Sequence, residues 1–127
     1  MSKFQEQVKD ILRELLKEIT INEEVNVKKL FNEYPSGKDH YDLVIPTFKV
    51  IVECHGTQHK TKTSFGEKDP GKVSLNYTTQ KYRDKRKREV AEANNWLYLT
   101  IWYDALPKKE EDATAYVKSK LIGLFKT

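Results

Sequence analysis

Residues 40–55, HYDLVIPTFKVIVECH, set two short apolar runs on either side of a proline, and no other feature constrains the fold as strongly. Leu43, Val44 and Ile45 stop at Pro46, and Val50, Ile51 and Val52 take over after Thr47, Phe48 and Lys49. Each run has the length and β-branched content of a strand, and proline cannot donate to a ladder. The segment therefore predicts a hairpin turning about Thr47 and Phe48. Pairing Ile45 with Val50 fixes an antiparallel register that sets Asp42 opposite Glu53, with Cβ atoms about 5 Å apart. Side chains alternate along a strand, so Glu53 shares a face with Ile51 and His55, while Cys54 lies opposite with Val50 and Val52. Carboxylates and an imidazole on an apolar face are expensive to bury unpaired. Like charges so close repel, and a divalent cation between them makes the arrangement tolerable.

Around this hairpin the periodicity assigns the remaining elements. Phe4, Val8, Ile11, Leu12, Leu15 and Ile19 fall on one helical stripe over residues 2–19, with Ser2 as cap. Residues 24–31, EVNVKKLF, alternate weakly and predict a strand, followed by a turn at Pro35, Ser36 and Gly37. Residues 60–76 hold two Gly and a Pro among few apolar groups and read as a long, flexible basic loop. A helix is expected over 77–95, ended by Asn94 or Asn95 in a left-handed conformation. The segment WLYLTIWY follows as a strand apolar on both faces. After Pro107 a last helix places Ala115, Val117, Leu121, Leu124 and Phe125. This order predicts a single α/β domain over residues 1–127, its mixed central sheet flanked by helices on both faces.

Composition bounds the function classes. The 127 residues suffice for one core and not for separate catalytic and recognition domains. No run of about 18 apolar residues is present, so a membrane span is excluded, and without a signal-like apolar core the expected location is cytoplasmic. A single cysteine, Cys54, rules out an internal disulfide. The net charge is only +4, but KYRDKRKR, residues 81–88, gathers six Lys or Arg, and Lys60, Lys62, Lys68 and Lys72 add to them. Such clusters suit a polyanionic partner, although a solvated helix face gives the same pattern.

The stretch HYDLVIPTFKVIVECHGTQH resembles the core motif of the PD-(D/E)xK nucleases, with Asp42 and Glu53 in the positions of the motif carboxylates. Its Glu-x-x-Gly-x-Gln-His form is similar to the branch near the very short patch repair endonucleases and related phage and homing endonucleases. The likeness extends through QKYRDKRKREVAEANNWLYLTIWY and covers about residues 39–103. It implies a restriction-endonuclease-like fold, a bacterial or phage origin, and Mg²⁺ (Mn²⁺ as substitute) held by Asp42 and Glu53 for hydrolysis of DNA. Three departures stand out. The motif lysine is His55, the basic residue before the Asp is His40, and the first helix offers Gln5 or Glu6, or else Glu18, where relatives carry a Glu.

Under this reading His55 or His59 acts as general base, Asp84 fixes its tautomer, Gln58 orients water, and Lys87, three residues after Asp84, faces the same site. Lys38, Lys60, Lys62, Arg83, Arg86 and Arg88 are expected to hold the DNA backbone. A rival zinc set of Cys54, His55 and His59 is opposed by strand alternation, because Cys54 and His55 face opposite ways. A second function remains open: a catalytically silent nucleic-acid-binding module of the same fold. With no second domain to read bases, recognition of DNA structure, homodimerisation or a guiding protein partner is expected to direct the chain.

Overall fold

A computed structural model describes residues 2–56 and 70–126, and side chains for 2–56 and 78–126. The elements are α1 (Lys3–Leu15), β1 (Asn22–Asn26), α2 (Val27–Leu30), β2 (His40–Ile45), β3 (Val50–His55), α3 (Pro70–Ala93), β4 (Leu97–Trp102) and α4 (Glu110–Leu124). The sheet order is β1-β2-β3-β4. The first three strands are antiparallel, and β4 runs parallel to β3 after the crossover through α3, so the sheet is mixed as expected. Among the described residues no helix is long and apolar enough to cross a membrane.

Helices cover both faces. On one, Val8, Ile11 and Leu12 of α1 and Ala113, Val117 and Leu121 of α4 pack against Leu43, Ile45, Val50, Val52, Leu99 and Ile101. On the other, Val27, Phe31, Tyr34 and Ala91 cover Tyr41, Val44, Ile51 and Tyr98. The hairpin has the expected register, Ile45 opposite Val50, with Lys49 in the left-handed region at φ 54° after a 3₁₀ turn over Pro46–Phe48.

Several expectations are corrected. The strand expected over 24–31 is β1 as far as Asn26, whose side chain accepts the Lys29 N–H at 3.0 Å and caps the short helix α2 instead. Helix α1 stops at Leu15, leaving Ile19 to reach the core from the following turn and Glu18 at φ 69°. The loop expected over 60–76 is helical over its described residues 70–76, within α3. Residues 60–69 of that loop lie outside the described residues. Helix α3 ends as anticipated: Asn95 has φ 64°, and the Trp96 N–H closes back onto the Ala91 carbonyl at 3.0 Å. In α4 it is Ala113 that enters the core, while Ala115 and Phe125 are exposed.

One irregularity shapes the site. Leu43 and Ile45 face α1 and α4, yet Tyr41 lies in the opposite core, so β2 rolls over at Asp42. Strand β1 rolls with it: Glu23 reaches Lys9 of α1 at 2.7 Å, Val25 packs in the other core, and Glu24 between them has φ 49°.

Ile101 is fully buried in the α1–α4 core. Ile101→Ala should cost about 2–5 kcal/mol, read as a lower urea midpoint with an unchanged slope.

Candidate active site at the open end of the hairpin

The roll at Asp42 parts β2 from β3 beyond Leu43 and Val52, the last of their paired residues. Carboxylates replace the missing ladder bonds. The Asp42 N–H donates to Glu53 Oε2 at 2.9 Å, and the Cys54 N–H donates to Asp42 Oδ2 at 2.7 Å. The two carboxylates predicted to stand side by side are thus brought together, each bonded to the other strand's backbone.

Glu53 is 1% exposed and is met from two further elements. The Tyr98 O–H of β4 donates to Glu53 Oε1 at 3.1 Å, and Lys87 Nζ of α3 lies 2.5 Å from the same oxygen. Lys87 is itself buried, one turn before Ala91 on the sheet-facing side of α3, although its neighbours in the basic run are exposed. The Tyr41 O–H donates to the Lys87 carbonyl at 2.6 Å, and the ammonium lies 5.6 Å from the centre of the Tyr41 ring. Burial first, and then Glu53, push the hydroxyls of Tyr41 and Tyr98 up, so both stay protonated donors.

Asp42 carries the strain of this arrangement. Burial and then the Glu53 charge push its carboxyl up to about 7 from an ordinary 3.8, against the Cys54 amide and the Lys87 ammonium, which pull it down. One ammonium does not neutralise two carboxylates. Gln5 of α1, also buried, donates through Nε2 to the Asp42 carbonyl at 3.3 Å and to Glu24 Oε1 at 2.9 Å. Of the first-helix candidates, Gln5 is therefore the one that reaches the site. Glu6 lines a separate groove with Asp10 and Glu110, and Glu18 is exposed beyond the far end of α1.

His55 is buried and stands edge-on to Trp102, with ring centroids 5.0 Å apart. Two residues beyond Glu53 on the strand, it lines a groove together with Asp84. Cys54 packs into the α1–α4 core on the opposite face, and burial pushes its thiol up, as a buried filler requires. Gln58, His59, Lys60 and Lys62 lie outside the described residues. Lys38, Arg83, Arg86 and Arg88 are exposed. Arg83 lies 3.5 Å from Asp39, Arg86 donates to the Tyr82 hydroxyl at 2.8 Å, and Arg88 lies 3.5 Å from Glu92. Among the described residues no three His, Cys, Asp or Glu side chains form a metal-binding group.

Sequence reasoning missed Tyr98 and Glu24. Tyr98 carried a signal, the one hydroxyl-tipped aromatic within the LYLTI segment of the strand, whereas nothing local to Glu24 marks its approach to α1.

A carboxyl raised in the fold favours its protonated form, so Asp42 contributes stability that is complete below about pH 4 and is lost as pH rises through 7. In excess chelator, Asp42→Asn should raise the melting temperature at pH 8, by about 1–3 kcal/mol in stability, and leave it unchanged near pH 4. Thermal melts of both proteins across that range test the sign.

Comparison with protein families, curated proteins and solved structures finds no match to this chain.

Proposed function

We propose that this chain is a metal-dependent endonuclease acting on DNA. The observation that carries the reading is the juxtaposition of Asp42 and Glu53, with the Lys87 ammonium on Glu53, at the point where the β2–β3 ladder ends. A hydrolytic site for phosphodiesters needs hard oxygen donors for a cation and a fixed positive charge for the phosphate. Two adjacent carboxylates meet the first need, and the neighbouring Glu53 charge, which after burial is what raises Asp42, favours a divalent cation there. Mg²⁺ is commonly bound by only one or two carboxylates, with substrate phosphate and water completing its shell, so a third protein carboxylate is not required. Asp42 and Glu53 would hold it, and bound there it would supply a more acidic water and charge for the phosphate oxygens.

The other residues divide the remaining work. Lys87 takes the part of the motif lysine from α3: its ammonium is held by Glu53 and the Tyr41 ring, and cannot swing away without leaving the buried Glu53 charge unpaired. His55 is then relieved of supplying a cation and is left as a proton carrier or orienting group beside Asp84, with His59 and Gln58 as further candidates for base and water positioning. Arg83, Arg86 and Lys38 flank the start of β2 and the outer face of α3, where a phosphate backbone would lie.

A second reading, a catalytically silent nucleic-acid-binding module, draws on the same ammonium. Lys87 already serves as a built-in counter-ion for Glu53. Cleavage of DNA with Mg²⁺ or Mn²⁺ that stops in excess chelator separates the two.

On the nuclease reading, Asp42→Ala and Glu53→Ala abolish cleavage while DNA affinity in chelator persists, and Lys87→Met lowers the rate by about 100-fold or more, the scale of losing a charge aimed at the transition state. Near-parental cleavage by either carboxylate variant ends that reading. Charge reversal of Arg83 and Arg86 should weaken binding to all sequences alike and reduce the salt slope by about one for each phosphate no longer neutralised. Titrations at several salt concentrations measure it.

A further inference from the structure

Beside Glu53, β4 and α3 border a groove of about 490 Å³, mostly apolar in its walls. Three Tyr or Trp side chains line it, Tyr98 and Trp102 from the sheet and Tyr82 from the helix, and its three cations, Lys81, Lys85 and Arg88, outnumber its one carboxylate, Asp84. A volume of that size suits one small ligand-sized group and not a duplex. Three cations are superfluous for an uncharged apolar ligand, and three rings are superfluous for a free phosphate. A nucleotide uses both, its base against the rings and its phosphates against the rim. The groove lies one side chain away from the carboxylates, because the Tyr98 hydroxyl in its wall bonds Glu53.

We infer that this groove receives one unpaired DNA base, so that the phosphodiester flanking that base is delivered to Asp42, Glu53 and Lys87. A base inside a stack cannot enter, and the substrate class becomes DNA carrying an unpaired nucleotide rather than continuous duplex. This rests on DNA being the substrate of the carboxylate site.

Binding in excess chelator tests the groove without cleavage. The probes are a perfect duplex, the same duplex with one unpaired thymine, and the same with an abasic residue in place of that thymine. The thymine bulge should bind about 5- to 100-fold more tightly than the other two, the scale of one base stacked on an aromatic side chain. Tyr82→Ala, at a residue 59% exposed and outside the core, should abolish that preference. Trp102→Leu should do the same, and if its fold suffers, Tyr82→Ala decides alone. Equal affinity for all three probes, or a preference that survives Tyr82→Ala, overturns the inference. Adding Mg²⁺ separates it from the nuclease reading: cleavage without base preference retires the groove alone, and base-dependent binding without cleavage retires the nuclease alone.

Discussion

A carboxylate sealed inside a sheet is the constraint on which the rest of this structure turns. Left without partners, the Glu53 charge would cost several kcal/mol to bury, more than a small domain can lose and stay folded. Its partners come from three separate elements, the Asp42 amide of β2, the Tyr98 hydroxyl of β4 and the Lys87 ammonium of α3. The hairpin, the crossover helix and the parallel strand therefore meet at one oxygen pair. Core packing alone would allow α3 to slide along the sheet by small steps; the Lys87–Glu53 pair and the Tyr41 bond to the Lys87 carbonyl fix its position.

The same charge explains why two strands break their alternation together. Had β2 stayed regular, Tyr41 would follow Leu43 and Ile45 into the α1–α4 core, and the bond from Tyr41 to Lys87 would not exist. Rolling the strand at Asp42 ends its pairing with β3, frees two amides for the carboxylates and forces β1 to roll at Glu24. A non-glycine residue at φ 49° costs about 1 kcal/mol there. Left-handed backbone at Glu24, a split ladder and a raised carboxyl coincide within a few residues, whereas the other left-handed residues, Glu18, Lys49 and Asn95, sit in turns at element ends. Such concentration is expected where a site is held in a geometry that packing by itself would not choose.

The legible part of this structure was whatever rests on period and register. Ile45 opposite Val50 follows from two apolar runs and a proline, and with it come the proximity of Asp42 to Glu53 and the banishment of Cys54 to the other face. What escaped was set by distant partners. Weak alternation after Asn26 gave no warning that its side chain would cap a helix, and the Pro and Gly of residues 70 and 71 hid a helix start behind loop composition. Glu24 and Tyr98 owe their roles to contacts with residues 19 and 45 positions away, beyond any local pattern. Lys87 was partly legible. Its phase with Ala91 separates it from the arginines around it, but only the fold shows which carboxylate it meets.

On the nuclease reading, that ammonium also accounts for a histidine at position 55, where the family resemblance implies a lysine. A lysine at position 55 would enter from the end of β3 and crowd Trp102, with which the imidazole now makes an edge-on contact. Coming from α3, the charge instead approaches Glu53 across the Tyr41 ring and leaves the strand end to a flatter side chain. The helix then bears two kinds of cation with different tasks. Lys87, buried and held by Glu53, sets the charge of the site, while Arg83 and Arg86 are exposed and screened by salt, beside Asp39 and the Tyr82 hydroxyl. Because both sit on one helix, the arginines have a defined offset from Glu53. The buried charge of the site and the exposed cations are thereby coupled through α3.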